Sequence, residues 1–205
     1  MGDFVATITS LLALIMAQWI VIFYPGVLVF WLIMHNNIQR LRMIGTRAYW
    51  VAAVAWLSTA GPILFFRSRI FSLQFSVTET LRTGLVLFGV ISLLLAVLLL
   101  LQAGKKIPVK TMVGMPEIAP DKSKQRVLNT GIYAKTRNPI YLAHWLLVFS
   151  AAALTNFAAN WIMFALDCLI IPILIRAEER ELLARYGAQY RLYMREVPRF
   201  FPQLR

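Results

Sequence analysis

Cysteine is almost missing from this chain. Cys168 stands alone among 205 residues. One thiol excludes an intramolecular disulfide and any multi-cysteine metal site. Histidine is nearly as rare: only His35 and His144 occur, without an HExxH pair, so no metal site is expected. Charge is scarce as well, at 15% of residues against 60% hydrophobic. That balance is too apolar for a soluble domain of this size. Acids are the scarcer sign, nine against 21 basic residues, for a net charge of +12. No nucleic-acid-binding motif accompanies the surplus, so nucleic acid is not an expected partner. In a membrane protein, such residues hold loops on the cytoplasmic side and meet anionic lipid. No GxGxxG or Walker loop appears, which excludes the usual soluble folds for a nucleotide-type cofactor. No internal repeat supports an inverted-repeat transporter. Asp3 is the only early charge, so the first apolar run does not read as a secretory signal.

What the chain does have is long apolar runs. A spanning helix needs roughly 20 apolar residues. Phe4–Met34 carries no charge but is interrupted by Pro25-Gly26, which predicts one kinked helix or a helix plus a re-entrant piece. Tyr49–Phe66 is a short second span with a kink near Gly61-Pro62, and Gly84–Gly104 is a leucine-rich third. Ile140–Ile175 holds a fourth and a fifth, turned at Thr155-Asn156 through Asn160 into a tight hairpin. Ile70–Thr80 alternates apolar and polar residues and reads as an interfacial segment. The expected fold is therefore an all-α integral membrane protein of about five transmembrane helices. Two regions are expected: 1–104 as a three-span membrane region, and 105–205 as a loop, a hairpin and a C-terminal helix.

Lysine and arginine orient the spans. They number three in 35–48, three in 67–82, eight in 104–137 and seven in 176–205. Five spans place 18 of them on one side and three on the other. The positive-inside rule makes the heavy side cytoplasmic, with the N-terminus outside. The tail reads as one amphipathic cytoplasmic helix, since Leu182, Tyr186, Tyr190 and Val197 recur at helical spacing among Arg180, Arg185, Arg191 and Arg195.

Two polar clusters flank the hairpin and meet on one side of the membrane if it crosses and returns. In Arg137-Asn138-Pro139-Ile140-Tyr141, Pro139 suits a first helical turn and Asn138 a cap. Glu178-Glu179 closes the fifth span, where two carboxylates need a cationic partner such as Arg137, Arg176 or a ligand. Otherwise they are a solvated surface, with Glu181 and Arg185 as a helix pair. Asp167 is the one acid inside a span, either functional or polar glue to Asn160, Trp161 or another helix. His144 shares a face with Tyr141, one turn away, and either lines a site or packs.

Taken in order, Gln125-Arg-Val-Leu-Asn-Thr-Gly-Ile-Tyr133, Arg137-Asn-Pro-Ile-Tyr141, Glu178-Glu179, Tyr186-Gly187-x-x-Tyr190-x-x-Tyr193 and Val197-Pro-Arg-Phe-x-Pro202 form one pattern. The pattern resembles the isoprenylcysteine carboxyl methyltransferase and phospholipid methyltransferase family over roughly residues 118–202. The family motif often has histidine where this chain has Asn138, and its small residue after the tyrosine is displaced to Ala143. The resemblance implies S-adenosylmethionine as cofactor, bound on the cytoplasmic side of an inner membrane or of the endoplasmic reticulum. It implies cofactor contacts from Gln125, Arg126, Val127 and Leu128, and an adenosine pocket at Tyr133. Asn138, Pro139, Ile140 and Tyr141 would wrap the methionine part, and Glu178 would hold a cationic group. Arg176 is the nearest match to the arginine that orients an acidic substrate in carboxyl-methylating members, two residues from its usual place at Leu174. The implied substrate is lipophilic or lipid-modified, with a carboxylate, amine or thiol acceptor. A carboxylate needs no base; an amine or thiol must lose a proton, for which His144, Tyr141 or Asp167 are candidates. Two other readings compete: an NADPH-dependent sterol-type reductase with a similar Arg-x-Pro-x-Tyr piece, and a non-enzymatic membrane protein.

Overall fold

The computed structural model describes residues 2–108, 111, 114, 118 and 127–201, and they are helical with short connections. Helix α1 spans Gly2–Asn36, α2 Ile38–Ile44 and α3 Tyr49–Phe65, the last two joined by a 3-10 turn over Gly45–Ala48. A one-turn α4, Arg67–Ile70, precedes α5, Glu79–Gly104. A 3-10 turn over Gly131–Ala134 leads to α6, Pro139–Thr155, then α7, Ala158–Tyr186, and α8, Ala188–Glu196. Four runs are long and apolar enough to cross a membrane: Ser10–Asn36, Ile38–Phe65, Glu79–Gly104 and Ala158–Tyr186. The fifth apolar helix, α6, is shorter at 17 residues. The chain thus has the makings of a multi-pass membrane protein.

Pro25 does not break α1, which continues through it. A proline removes one backbone hydrogen bond, but neighbouring helices in a bundle compensate. Its neighbour Gly26 decides the packing here. A Cβ at Gly26 would lie 2.3 Å from the Trp56 side chain and 2.8 Å from its Cα, so α3 presses directly on the α1 backbone. Small residues set the α5–α6 contact in the same way: a Cβ at Gly89 would meet Leu154 at 3.0 Å, beside fully buried Ala151, Ala152 and Ala153. Leu87, Leu94, Leu98 and Leu101 on α5 are exposed, as a face turned to lipid requires.

The α6–α7 turn explains the segment expected to be interfacial. Asn156 ends α6 in the left-handed conformation, φ 55, leaving backbone groups unpaired. Residues 73–75 satisfy them: Ala158 N–H donates to Leu73 O at 3.0 Å, Phe75 N–H to Asn156 O at 3.2 Å, and Asn156 Nδ2 to Phe75 O at 2.6 Å.

Two contacts give the register of α1 against α7. Asn160 Nδ2 donates to Ala17 O at 3.1 Å, and Tyr24 Oη donates to Asp167 Oδ1 at 2.9 Å. Seven residues separate the two contacts on each helix, so α1 and α7 run parallel. Asp167 therefore joins another helix, one of the alternatives the sequence left open, through Tyr24 and not Asn160 or Trp161. Arg82, at the start of α5, donates to Leu154 O at the end of α6 at 2.8 Å, so those two helices are antiparallel. The main core lies where α1, α6 and α7 meet, around Leu28, Val148, Ile171 and Leu174.

The single tail helix expected does not form. Helix α7 runs past the apolar stretch to Tyr186, and Gly187 stops it at φ +56, a conformation that only glycine adopts readily. The nine-residue α8 then folds back, burying Tyr190, Tyr193 and Val197.

Candidate active site

Three segments converge where α7 leaves its apolar stretch: the loop before α6, the first turn of α6, and the tail after α8. Arg137 organises them. Its backbone N–H donates to Pro198 O at 3.0 Å. Its guanidinium donates to Met194 O at 2.7 Å, Val197 O at 2.8 Å and Glu179 Oε1 at 2.8 Å. Arg199 reaches the other oxygen, Glu179 Oε2, at 2.6 Å. Glu179 is thus shared by two arginines and holds the tail against the membrane end of α7. Asn138 belongs to the same clasp. It makes no capping bond; instead its Nδ2 donates to Arg199 O at 3.2 Å, beside Thr136 Oγ1 at 3.1 Å on the same carbonyl. The expected cap is corrected accordingly: the Arg199 carbonyl claims the side chain. Pro139 occupies the first turn of α6 as expected. Phe200 stacks on Trp145, centroids 5.2 Å apart, and seats the tail on α6.

A cavity opens beside this clasp. Its volume is about 150 Å³, and it is partly open to the surface. The polar end holds Tyr133, Asn138, Tyr141 and Glu178; Pro139, Ile140 and His144 also line it. Tyr141 hydrogen-bonds to Glu178. Among the described residues no arginine or lysine pairs with Glu178, in contrast to Glu179 next to it. Tyr133 is positioned by Gly131, at φ +62, and by Tyr193 Oη, which donates to Tyr133 O at 2.7 Å. The Tyr133 hydroxyl is buried with no hydrogen-bond partner among the described residues. Burial, then the charge of Glu178, then Tyr193 push its pKa above the ordinary phenol range. A buried hydroxyl without a partner, beside an acid that His35 and Tyr141 approach but that no arginine or lysine pairs among the described residues, suits a polar ligand with a cationic group.

The other expected site residues lie elsewhere. Gln125 and Arg126 fall outside the described residues. Val127 packs against the Tyr190, Tyr193 and Val197 cluster, and neither it nor Leu128 is among the cavity-lining residues. Arg176 points to the opposite face of α7. It lines a separate basic cleft with Ile173, Arg180, Leu183, Met194 and Arg199. The helix explains the separation: Ile171, Leu174 and Glu178 share one face, and Ile173, Arg176 and Arg180 another.

Helix α1 supplies a wall that the motifs did not reveal. Tyr24, Val27, Leu28 and Trp31 line the cavity from it. Trp31 stacks on His35, centroids 5.5 Å apart, and His35 lies 3.5 Å from Glu181. Glu181 also takes Arg42 of α2 at 2.7 Å, as well as Arg185 one turn along α7. The one sequence signal for this wall was a tyrosine beside Pro25-Gly26 inside an otherwise apolar helix.

The architecture is that of a helical membrane protein whose bundle holds a mainly apolar cavity with a polar end. The description "Phospholipid methyltransferase" matches residues 85–189, just over half of the chain, and the chain belongs to that family. The chain is also 35% identical, over 74 residues, to Methanethiol S-methyltransferase 2 of Bradyrhizobium diazoefficiens. That match covers 36% of this chain and 27% of the relative, so it spans about a quarter of the relative's length. No solved structure matches.

Proposed function

We propose that this protein methylates a lipophilic acceptor, with S-adenosylmethionine bound in the cavity between α1, α6 and α7. The observation that carries the reading is the pairing of Glu178 with the unpartnered Tyr133 hydroxyl at the polar end of that cavity. Glu178 holds a cationic group of the cofactor, Tyr133 meets the adenosine part, and Asn138 to Tyr141 wrap the methionine part. The aromatic rings of Trp31 and Tyr133, which line the cavity, suit a sulfonium, which prefers an electron-rich ring to water. The cofactor supplies an activated methyl group. The protein's task is then to orient the acceptor and exclude water. Residues 105–205 supply the polar groups, and 1–104 supply the α1 wall.

All five apolar helices cross the bilayer in this reading. The parallel run of α1 and α7 supports it, because an odd number of crossings must then lie between them, and α3, α5 and α6 supply three. Helix α6, at 17 residues, reaches about 25 Å, the short end of the spanning range. The N-terminus then lies outside and the cavity opens to the cytoplasm, as the 18 basic residues on that side favour. The acceptor reaches the deep, apolar end of the cavity from the bilayer.

Calorimetry with S-adenosylhomocysteine and with NADPH tests the reading. Binding of the first, weakened by Glu178→Gln, is the expected result. Binding of NADPH instead would replace methyl transfer by reduction, and binding of neither would remove the enzymatic reading.

A further inference from the structure

The deep end of the cavity carries a polar pair for which cofactor binding provides no task. Tyr24 lines the cavity, and its hydroxyl donates to Asp167 Oδ1 at 2.9 Å. Asp167 is 0% exposed, and its second oxygen, Oδ2, has no hydrogen-bond partner among the described residues. A carboxyl group inside a helix bundle is costly to keep. One that served only to tie two helices would engage both oxygens. Polar contacts of Asn160 with Ala17 and of His35 with Glu181 already join α1 and α7 on either side of this pair.

The register locates the pair. Tyr24 is level with Asp167, and Trp31 with Leu174. Glu178 lies three turns further along α7, about 16 Å at 1.5 Å per residue. Glu178 lines the polar mouth of the cavity, and Tyr24 lines its apolar interior with Asp167 hydrogen-bonded behind it. His144 meets the Tyr24 ring edge-to-face, centroids 5.7 Å apart, and holds the phenol in place.

We propose that Tyr24, backed by Asp167, takes the proton from a protic acceptor, and that this acceptor is a thiol. The inference rests on the methyltransferase reading above. The thiol S–H bond breaks and its proton goes to Tyr24 Oη. The proton already on Tyr24 passes along the existing hydrogen bond to Asp167 Oδ1. The thiolate then bonds the methyl carbon, and the donor sulfur keeps the electron pair of its broken bond and becomes a neutral thioether. One proton leaves the thiol and one arrives on the carboxylate, so charge balances. Tyr24 is the catalytic residue of this step; Asp167 acts through it.

The surroundings select the acceptor class. A carboxylate needs no base and would be repelled by Asp167. An ammonium would have to shed its hydration among Leu28, Ile171 and Leu174. A thiol enters neutral, so it brings no charge to desolvate among those side chains. Loss of its proton is then the step that a positioned base accelerates.

The test compares two acceptors on the full chain in vesicles: octanethiol, mostly protonated at neutral pH, and 4-octylthiophenol, mostly ionised there. Tyr24→Phe and Asp167→Asn should each slow octanethiol methylation by about 10²-fold or more, the range of a positioned base, while the thiophenol changes less than about threefold. Affinity for S-adenosylhomocysteine should stay unchanged. A readout independent of turnover is the infrared carboxylate band of Asp167, identified by its loss in Asp167→Asn. It should shift when octanethiol joins the S-adenosylhomocysteine complex, through the Tyr24 hydrogen bond, and should not shift in Tyr24→Phe. Equal losses on both acceptors with cofactor affinity intact would reduce the pair to a structural link and overturn the relay. Undiminished octanethiol turnover in either folded variant would do the same. If Asp167→Asn does not fold, Tyr24→Phe, which keeps the ring, decides the matter alone. A wild-type protein that binds S-adenosylhomocysteine but methylates neither thiol overturns the acceptor class. Failure to bind S-adenosylhomocysteine overturns the methyltransferase reading instead.

Discussion

Arg137 and Glu179 pair at 2.8 Å across the gap between the α6 loop and α7, with side chains only 7% and 5% exposed. Glu178 is the adjacent residue, turned about 100° around the helix. It faces the cavity instead. Two neighbouring acids, indistinguishable as residue types, thus hold the fold and face the site respectively.

Their substitutions should separate accordingly. Glu179→Gln leaves Arg137 buried without its charge and should cost about 3–5 kcal/mol of stability. Glu178→Gln should leave thermal unfolding nearly unchanged but weaken S-adenosylhomocysteine binding by about 1.5–3 kcal/mol, the value of a charge-assisted hydrogen bond. Thermal scans and calorimetry on both variants measure the two effects. A Glu178→Gln protein with native affinity would contradict the cofactor assignment.

Gly26 and Gly61 make a packing pair of opposite sign. Gly26→Ala forces a Cβ against the Trp56 backbone and should destabilise by about 1–3 kcal/mol or more. Gly61→Ala meets nothing within 4 Å, so removing a helical glycine there should stabilise by about 0.5–1 kcal/mol. Unfolding midpoints that move the same way would show that α3 does not press on α1 as described.

Alkaline pH should unfold the tail region first. Burial, chiefly, raises the phenol pKa values of Tyr133, Tyr190 and Tyr193. With the folded value raised, their contribution is complete below the unfolded value of about 10 and is lost as pH rises above it. The unfolding midpoint should fall steeply above that pH. Tyr193→Phe should flatten the fall, although it also removes the bond to Tyr133 O. A midpoint independent of pH up to 11 would refute the burial of these phenols.

Labelling tests the topology. In a Cys168→Ser background, Lys106→Cys should react only from the cytoplasmic face and Ser72→Cys only from the outer face; both positions are exposed. Labelling of both from one side would remove a crossing from the five-span reading.

The acceptor tail should matter. Burying each methylene contributes about 0.8 kcal/mol, so shortening an acceptor by four carbons should raise its apparent KM by two orders of magnitude or more. Equal efficiency for short, soluble acceptors would show that the substrate does not come from the bilayer.

Several features were legible in the sequence because they depend on local chemistry. Uncharged runs can form only helices or barrels in lipid, so α1, α3, α5 and the α6–α7 hairpin followed from composition and length. Pro139 at a helix start and the hairpin turn near Asn156 followed from backbone preferences. At Pro25 the sequence left two courses open, one kinked helix or a re-entrant piece, and the first is realised, since a bundle can compensate a missing hydrogen bond that an isolated helix cannot. Gly187 carried the signal for the split tail, but the periodic tyrosines on either side masked it.

The sequence by itself determined that this is a multi-pass helical protein and that its polar groups gather at the ends of one hairpin, because burial in lipid and helix-terminal chemistry are properties of short stretches. Only the tertiary structure decided which acid faces the cavity, that Arg176 looks away from it, and that Tyr24 reaches Asp167. Those outcomes depend on the register of α1 against α7, and that register comes from contacts between residues 143 positions apart. No local spacing encodes such a register; it emerges when small residues such as Gly26 let the helices close to contact.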